Sequence, residues 1–306
     1  MTDEGRSPST AARAASGESG LFRGRDGDFS FVRWGGRGPL AVLAHASGLT
    51  AGTYGPLAAR LTARLRPVGL DARGHGGTLA PADPRRLRDW DVFRDDLARF
   101  LDHLGEPALL VGHSMGGMVG LAVAIRRPDL VRGLVLVEPG IVPPAWRAWV
   151  FAAQRTGLWR HAPIVARAAR KRRDWPSREA LRAALRSAGI FRRWSDEFFE
   201  AYVETGTEAL PDGTVRLRCD PAWEARCIAT PPVGAWRWVP AIRVPTLLLY
   251  GEISRTFLPP MAARFRRALP HARVERFAGA GHYLPMERPD GAARAIQSFL
   301  DQEVIR

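Results

Sequence analysis

Apolar residues along this chain fall into short runs that alternate with helical stripes. Residues 29–34 alternate loosely and end at Gly35-Gly36, which predicts a strand and a turn. Residues 40–44, 67–70, 108–111, 134–137 and 246–250 are short, nearly continuous apolar runs, and 273–277 predicts a last strand. Residues 58–65 carry helical spacing. Trp90, Phe93, Leu97, Phe100, Leu101 and Leu104 fall on one helical stripe, with Asp and Arg between them. Residues 118–125 are apolar all round, which predicts a buried helix stopped near Pro128. Further helices are expected near 261–269 and 291–303. Buried strands alternating with helices predict an α/β fold, a mostly parallel sheet with helices on both faces.

Two segments break this alternation. Residues 1–20 are small and polar without hydrophobic period, and predict a disordered leader. They lack the apolar stretch of a secretory signal, so a cytoplasmic protein is expected. Residues 141–240 offer no strand ladder and hold eight of the ten tryptophans. They predict a largely helical insert packed over the sheet as a lid, after the sixth strand. Its tryptophans either pack the lid itself or line an apolar pocket between lid and core. The domain reading is therefore a core of 21–140 and 241–306 with a lid over 141–240.

Composition narrows the function classes. The 306 residues are 46% hydrophobic and 25% charged, as in ordinary globular proteins. No apolar run reaches the roughly 18 residues that span a bilayer, so an integral membrane protein is not expected. The net charge is +14, and 44 of the 45 basic residues are arginine, with Lys171 the one lysine. The cations are distributed along the chain, so no nucleic-acid partner is expected. The run Arg170-Lys171-Arg172-Arg173 reads as a solvated face. Cys219 and Cys227 have seven residues between them and no metal-site pattern; they read as reduced structural thiols, with a disulfide as the alternative. No zinc, nucleotide-loop or dinucleotide fingerprint is present, and no cofactor or metal is implied.

The sharpest motif is Gly112-His113-Ser114-Met115-Gly116-Gly117, between a predicted strand and a predicted buried helix. A serine between glycines at such a junction can sit on a tight turn that lifts its hydroxyl clear of the sheet. The helix N-terminus behind it favours developing negative charge. With this motif the chain resembles the α/β-hydrolase superfamily over roughly residues 21–306. His45-Ala46-Ser47-Gly48 follows the third strand, where that family places its oxyanion loop. Asp71-Ala72-Arg73-Gly74-His75-Gly76 matches the segment after its next strand. Gly279-Ala280-Gly281-His282 follows the last strand, where the family places its histidine.

The resemblance implies a serine hydrolase with Ser114 as nucleophile and His282 as its base. The backbone N–H groups of Met115 and Ser47 would hold the oxyanion, with the Ser47 hydroxyl as a further donor. His45, His75 and His113 sit inside motifs and read as braces for loops, and His103 and His271 as surface residues. The third member of the triad departs from the family pattern, which places an aspartate just after the seventh strand. No aspartate occurs between Thr246 and His282; Glu252 and Glu275 are the only carboxylates there. Glu138 ends the sixth strand, 24 residues after Ser114. A subset of the superfamily, including haloalkane dehalogenases, places its acid there, although their nucleophile is an aspartate. Glu138 is the first candidate and Glu252 the second.

The expected activity is cleavage of a carboxylic ester carrying an apolar or aromatic group. Thioesterase, lactonase, carbon–carbon hydrolase or acyltransferase chemistry at the same residues is the alternative, as is a ligand-binding protein without catalysis.

Overall fold

The computed structural model describes residues 17–304. In chain order the strands are β1 (Glu18–Arg23), β2 (Asp28–Arg33), β3 (Leu40–Ala44), β4 (Arg66–Leu70), β5 (Ala108–His113) and β6 (Val131–Val137). Three short strands follow, β7 (Asp174–Trp175), β8 (Thr207–Ala209) and β9 (Val215–Leu217), then β10 (Thr246–Gly251) and β11 (Arg273–Phe277). The helices of the first half are α1 (Gly55–Leu61), α2 (Asp91–Leu104) and α3 (Met115–Arg126). Between β6 and β10 lie α4 (Arg147–Arg155), α5 (Pro163–Ala169), α6 (Arg178–Arg186), α7 (Asp196–Thr205) and α8 (Pro221–Ala229). The chain closes with α9 (Pro259–Ala268), α10 (Leu284–Glu287) and α11 (Pro289–Phe299).

One eight-stranded sheet runs β1-β2-β4-β3-β5-β6-β10-β11. From β4 to β11 every neighbouring pair is parallel, and β1 and β2 add an antiparallel edge. The central strands are apolar without alternation because both faces are covered. Leu40 and Val42 of β3 join one core with α2, α3 and α9, while Ala41 and Leu43 join a second with α1 and α11. β3 lies between β4 and β5, so the winding direction reverses there. The loops leaving the carboxyl ends of β3 and β5 therefore face each other across a crevice, the usual ligand position in such sheets.

The sequence misplaced several features. Residues 1–16 of the expected leader lie outside the described residues, while 18–20 belong to β1. That strand escaped detection because Phe22 is its one buried side chain, so no period of two is visible. Residues 141–240 do contain a ladder, contrary to expectation: β7, β9 and β8 form a small antiparallel sheet. Strands of two or three residues are too short to carry a pattern. Gly35-Gly36 follows β2 as expected, and Gly24 N–H donates to Gly27 O at 2.9 Å in the turn between β1 and β2. No helix of the described residues is long and apolar enough to cross a membrane.

The junction of β5 and α3 is the tightest backbone contact near the crevice. A Cβ on Gly116 would lie 2.1 Å from the carbonyl oxygen of Ala44, and one on Gly112 would lie 2.4 Å from that of Gly116. Backbone atoms cannot swing aside as a flexible side chain can. Gly116→Ala is expected to lower unfolding free energy by at least about 2 kcal/mol, read from urea denaturation. A loss under 0.5 kcal/mol, on the order of an ordinary surface change, would mean that the strand and helix are not packed this closely.

Candidate active site

Ser114 turns the chain from β5 into α3 with φ +54°. A side chain at positive φ is strained, and the surroundings hold it. Ser114 N–H donates to Val137 O at 3.0 Å, Gly116 N–H to His45 O at 3.2 Å, and Gly140 N–H to Ser114 O at 3.1 Å. Three strand ends thus converge on one serine, whose side chain remains partly exposed.

His282, in the loop after β11, stands with Nε2 3.0 Å from Ser114 Oγ and Nδ1 3.2 Å from Glu138 Oε2. Glu138 is fully buried and is the other described non-glycine residue with positive φ, +48°. Its carboxylate also accepts Gly251 N–H at 2.6 Å and the Ser254 hydroxyl. A carboxylate can only accept in this arrangement, so Nδ1 carries the proton and the lone pair of Nε2 faces the serine hydroxyl. Glu252, the second candidate, points elsewhere: it accepts Gly279 N–H at 2.9 Å and pairs with Arg276. Glu275 lies in β11 and pairs with Arg273.

Met115 is the first residue of α3, where a backbone N–H has no acceptor within the helix. On the facing loop, Ala46 N–H donates to Tyr54 Oη at 3.1 Å and Gly48 N–H to His75 Nε2 at 3.0 Å. The N–H of Ser47 between them has no acceptor among the described residues. The Ser47 hydroxyl, considered above as a further donor to the oxyanion, is instead buried beside the Cys227 thiol. Both cysteines are buried and free, which removes the disulfide alternative.

The three motif histidines brace loops through defined tautomers. His45 Nδ1–H donates to Ala46 O and His75 Nδ1–H to Arg73 O, while their Nε2 atoms accept Ala72 N–H and Gly48 N–H. His113 Nε2–H donates to His282 O at 2.8 Å, and its Nδ1 accepts the Tyr54 hydroxyl at 2.6 Å. Since Tyr54 Oη accepts Ala46 N–H, a continuous chain of hydrogen bonds links the Ser47 loop to the His282 loop. Burial drives His75 and His113 down to about 3, with the nearby imidazoles His45 and His282 respectively adding to the shift.

Several supporting residues had no signal in the sequence, because their partners lie far along the chain. Glu287 is buried and accepts Gly281 N–H at 2.9 Å and Arg193 Nε–H at 2.9 Å; Arg193 also bonds Gly279 O. The segment between β6 and β10 therefore grips both sides of the His282 loop. Lys171 donates to both carboxylate oxygens of Glu224, at 2.6 and 2.8 Å, and Arg173 pairs with Asp220. Half of the basic run is thus paired and not simply solvated. A Cβ on Gly48 would lie 2.6 Å from the Glu224 carboxylate, so this ion pair stands against the loop that carries Ser47. Of the eight tryptophans in this segment, Trp194, Trp223 and Trp236 are buried, while Trp146 and Trp149 face outward.

A serine on a strained strand-to-helix turn, an adjacent imidazole and a buried carboxylate, carried by the ends of β5, β11 and β6, form a hydrolase-like site on this sheet. The chain belongs to the alpha/beta hydrolase family, whose sequence profile matches residues 41–295. It is 28% identical over 275 residues to 2-(acetamidomethylene)succinate hydrolase of Mesorhizobium japonicum, covering 88% of this chain and 91% of that protein. It is 31% identical to the pimeloyl-[acyl-carrier protein] methyl ester esterase of Chromobacterium violaceum, covering 89% and 98%. The crystal structure of E-2-(acetamidomethylene)succinate hydrolase has the same fold, with a TM-score of 0.73 at 23% identity, covering 92% of this chain and 100% of that one.

The neutral buried imidazoles give stability a pH dependence of known sign. Below about pH 6.5 the unfolded chain protonates His75 and His113, while the folded chain resists until about pH 3. Their contribution is complete above pH 6.5 and falls with acid, by about 1.4 kcal/mol per pH unit for each ring. Urea denaturation between pH 8 and 5 measures this. A flat profile from pH 6.5 to 5 would mean that these rings are not held neutral.

Proposed function

We propose that this protein is a serine hydrolase that cleaves carboxylic esters through an acyl-enzyme. The observation that carries the reading is the relay Ser114 Oγ, His282 Nε2 3.0 Å away, and Glu138 Oε2 3.2 Å from His282 Nδ1. A serine hydroxyl is a poor nucleophile until a base removes its proton, and this geometry supplies that base. Ser114 Oγ bonds to the ester carbonyl carbon as its proton passes to His282 Nε2. The N–H groups of Met115 and Ser47 hold the resulting oxyanion. The carbon–oxygen bond to the alcohol then breaks, and His282 returns the proton to the leaving oxygen. Water repeats the sequence: His282 takes its proton, the acid departs, and Ser114 is reprotonated. Throughout, Glu138 fixes the His282 tautomer and stabilises its imidazolium.

Within this reading the segment over 141–240 acts as the lid. An aromatic cluster supports a substrate with an apolar or aromatic group: Tyr283 lies 5.3 Å from His282 and 5.1 Å from Trp194 of the segment, between ring centroids. Relatives named as an esterase and as a methyl ester esterase agree with ester chemistry.

The test is hydrolysis of short nitrophenyl esters. Ser114→Ala is expected to abolish it, and Glu138→Gln to lower kcat by about 10³ to 10⁴. Glu252→Gln should cost less than tenfold, on the order of a change outside the relay. Equal background rates for the wild type and Ser114→Ala across acyl lengths would refute the esterase reading. A larger loss in Glu252→Gln than in Glu138→Gln would refute the assignment of the acid.

A further inference from the structure

The 35 residues from Pro139 to Arg173 contain eight Lys or Arg side chains and no Asp or Glu. Other acid-free stretches hold fewer cations, five in residues 29–70 and five in 253–274. Here Arg147, Arg155, Arg160 and Arg167 are exposed and form no ion pair among the described residues. The same stretch exposes Trp146, Trp149, Phe151, Leu158 and Ile164, each between 46% and 65% accessible. These are five of the nine large apolar side chains exposed in the described molecule.

These side chains lie on one outer layer. The inner face of α5, Val165 and Ala168, packs on Ala225 and Ala229 of α8. Gln154 of α4 bonds Ala229 O and Pro231 O, and Trp159 of the turn between α4 and α5 bonds Ile228 O. On its other side α8 is fixed to the core, since Trp223 Nε1–H donates to Arg73 O at 2.9 Å and Trp90 Nε1–H to Cys227 O at 3.0 Å. The layer of α4, turn and α5 is thus outermost, and Trp149 meets Trp159 edge-on at 5.1 Å across it.

We propose that this layer docks the protein on an anionic lipid surface. Tryptophan, phenylalanine and aliphatic side chains partition into the headgroup and acyl boundary, and arginines beside them meet the lipid phosphates. An uncompensated cationic face is complementary to that surface and to no carboxylate of its own. Leu158 and Ile164 favour a bilayer over a nucleic acid, since aliphatic chains offer no face on which bases stack. A second copy of this chain would set the unpaired arginines of two faces against each other. The layer rests on α8, whose Glu224 stands against Gly48, so the docked surface lies one helix away from the Ser47 loop. The inference does not depend on the esterase reading, since docking requires no turnover.

The experiment is co-sedimentation of the full chain with vesicles of phosphatidylcholine alone or with 30% phosphatidylglycerol, followed also by tryptophan emission. Binding is expected to the anionic vesicles, at least tenfold over neutral ones, with a blue-shifted emission and a steep fall at 0.5 M salt. Trp149→Ala with Phe151→Ala should weaken it about tenfold or more, and Arg147→Gln with Arg155→Gln should do the same. Far-ultraviolet dichroism and melting temperature report whether these surface variants remain folded. Absence of binding to anionic vesicles at moderate salt would overturn the proposal. So would binding that the Trp149 and Phe151 substitutions leave intact, a dimer that buries these tryptophans without vesicle binding, or equal affinity for a DNA duplex.

Discussion

A carboxylate withdrawn from water must be satisfied by other dipoles, and the site is arranged around that requirement at Glu138. No lysine or arginine pairs with it among the described residues. Its oxygens take the Gly251 N–H from the end of β10, the Ser254 hydroxyl from the following turn, and His282 Nδ1–H from the loop after β11. Removing any donor would leave part of the charge unsatisfied in a low-dielectric setting. Three chain segments far apart in sequence are thereby held to one position. The positive φ at Glu138 aims its side chain across the strand ends rather than into either layer of helices.

Much of this was legible from local patterns. Apolar runs located the five central strands β3, β4, β5, β6 and β10, because strands buried on both faces are apolar throughout, and β2 showed as a loose alternation. The glycines at 112 and 116 marked the serine turn, since backbone passes too close there for a Cβ. Glu138 was legible for a simpler reason: it is a carboxylate immediately after a buried strand. The edge strand β1 and the small sheet of β7, β8 and β9 carried too few buried side chains to reveal themselves. Tyr54, Ser254, Glu224 and Glu287 were invisible because each acts on a residue brought near only by the fold. The aromatic count in the insert was legible, but not its division between buried anchors such as Trp223 and outward rings such as Trp149.

The insert is tied to the core at the His282 loop and beside the Ser47 loop. Arg193 and Glu287 grip the His282 loop, Ser195 N–H bonds Met286 O at 2.9 Å, and Thr50 bonds Thr205 at 2.8 Å beside the Ser47 loop. Displacement of the insert would therefore disturb the His282 loop and the Ser47 loop together.

The hydrogen bonds of the four clustered histidines carry one more consequence. His45, His75 and His113 each give one nitrogen to a carbonyl and receive a donor on the other, so neither nitrogen can pick up a proton without breaking a bond. His282 differs in that its Nε2 faces the partly exposed hydroxyl of Ser114 and no carbonyl. Acylating labels such as diethyl pyrocarbonate, which need a free nitrogen lone pair, would thus find a single address among four neighbouring rings. The crowding of imidazoles, which looks at first like a proton wire, leaves one ring with a nitrogen turned to the Ser114 hydroxyl.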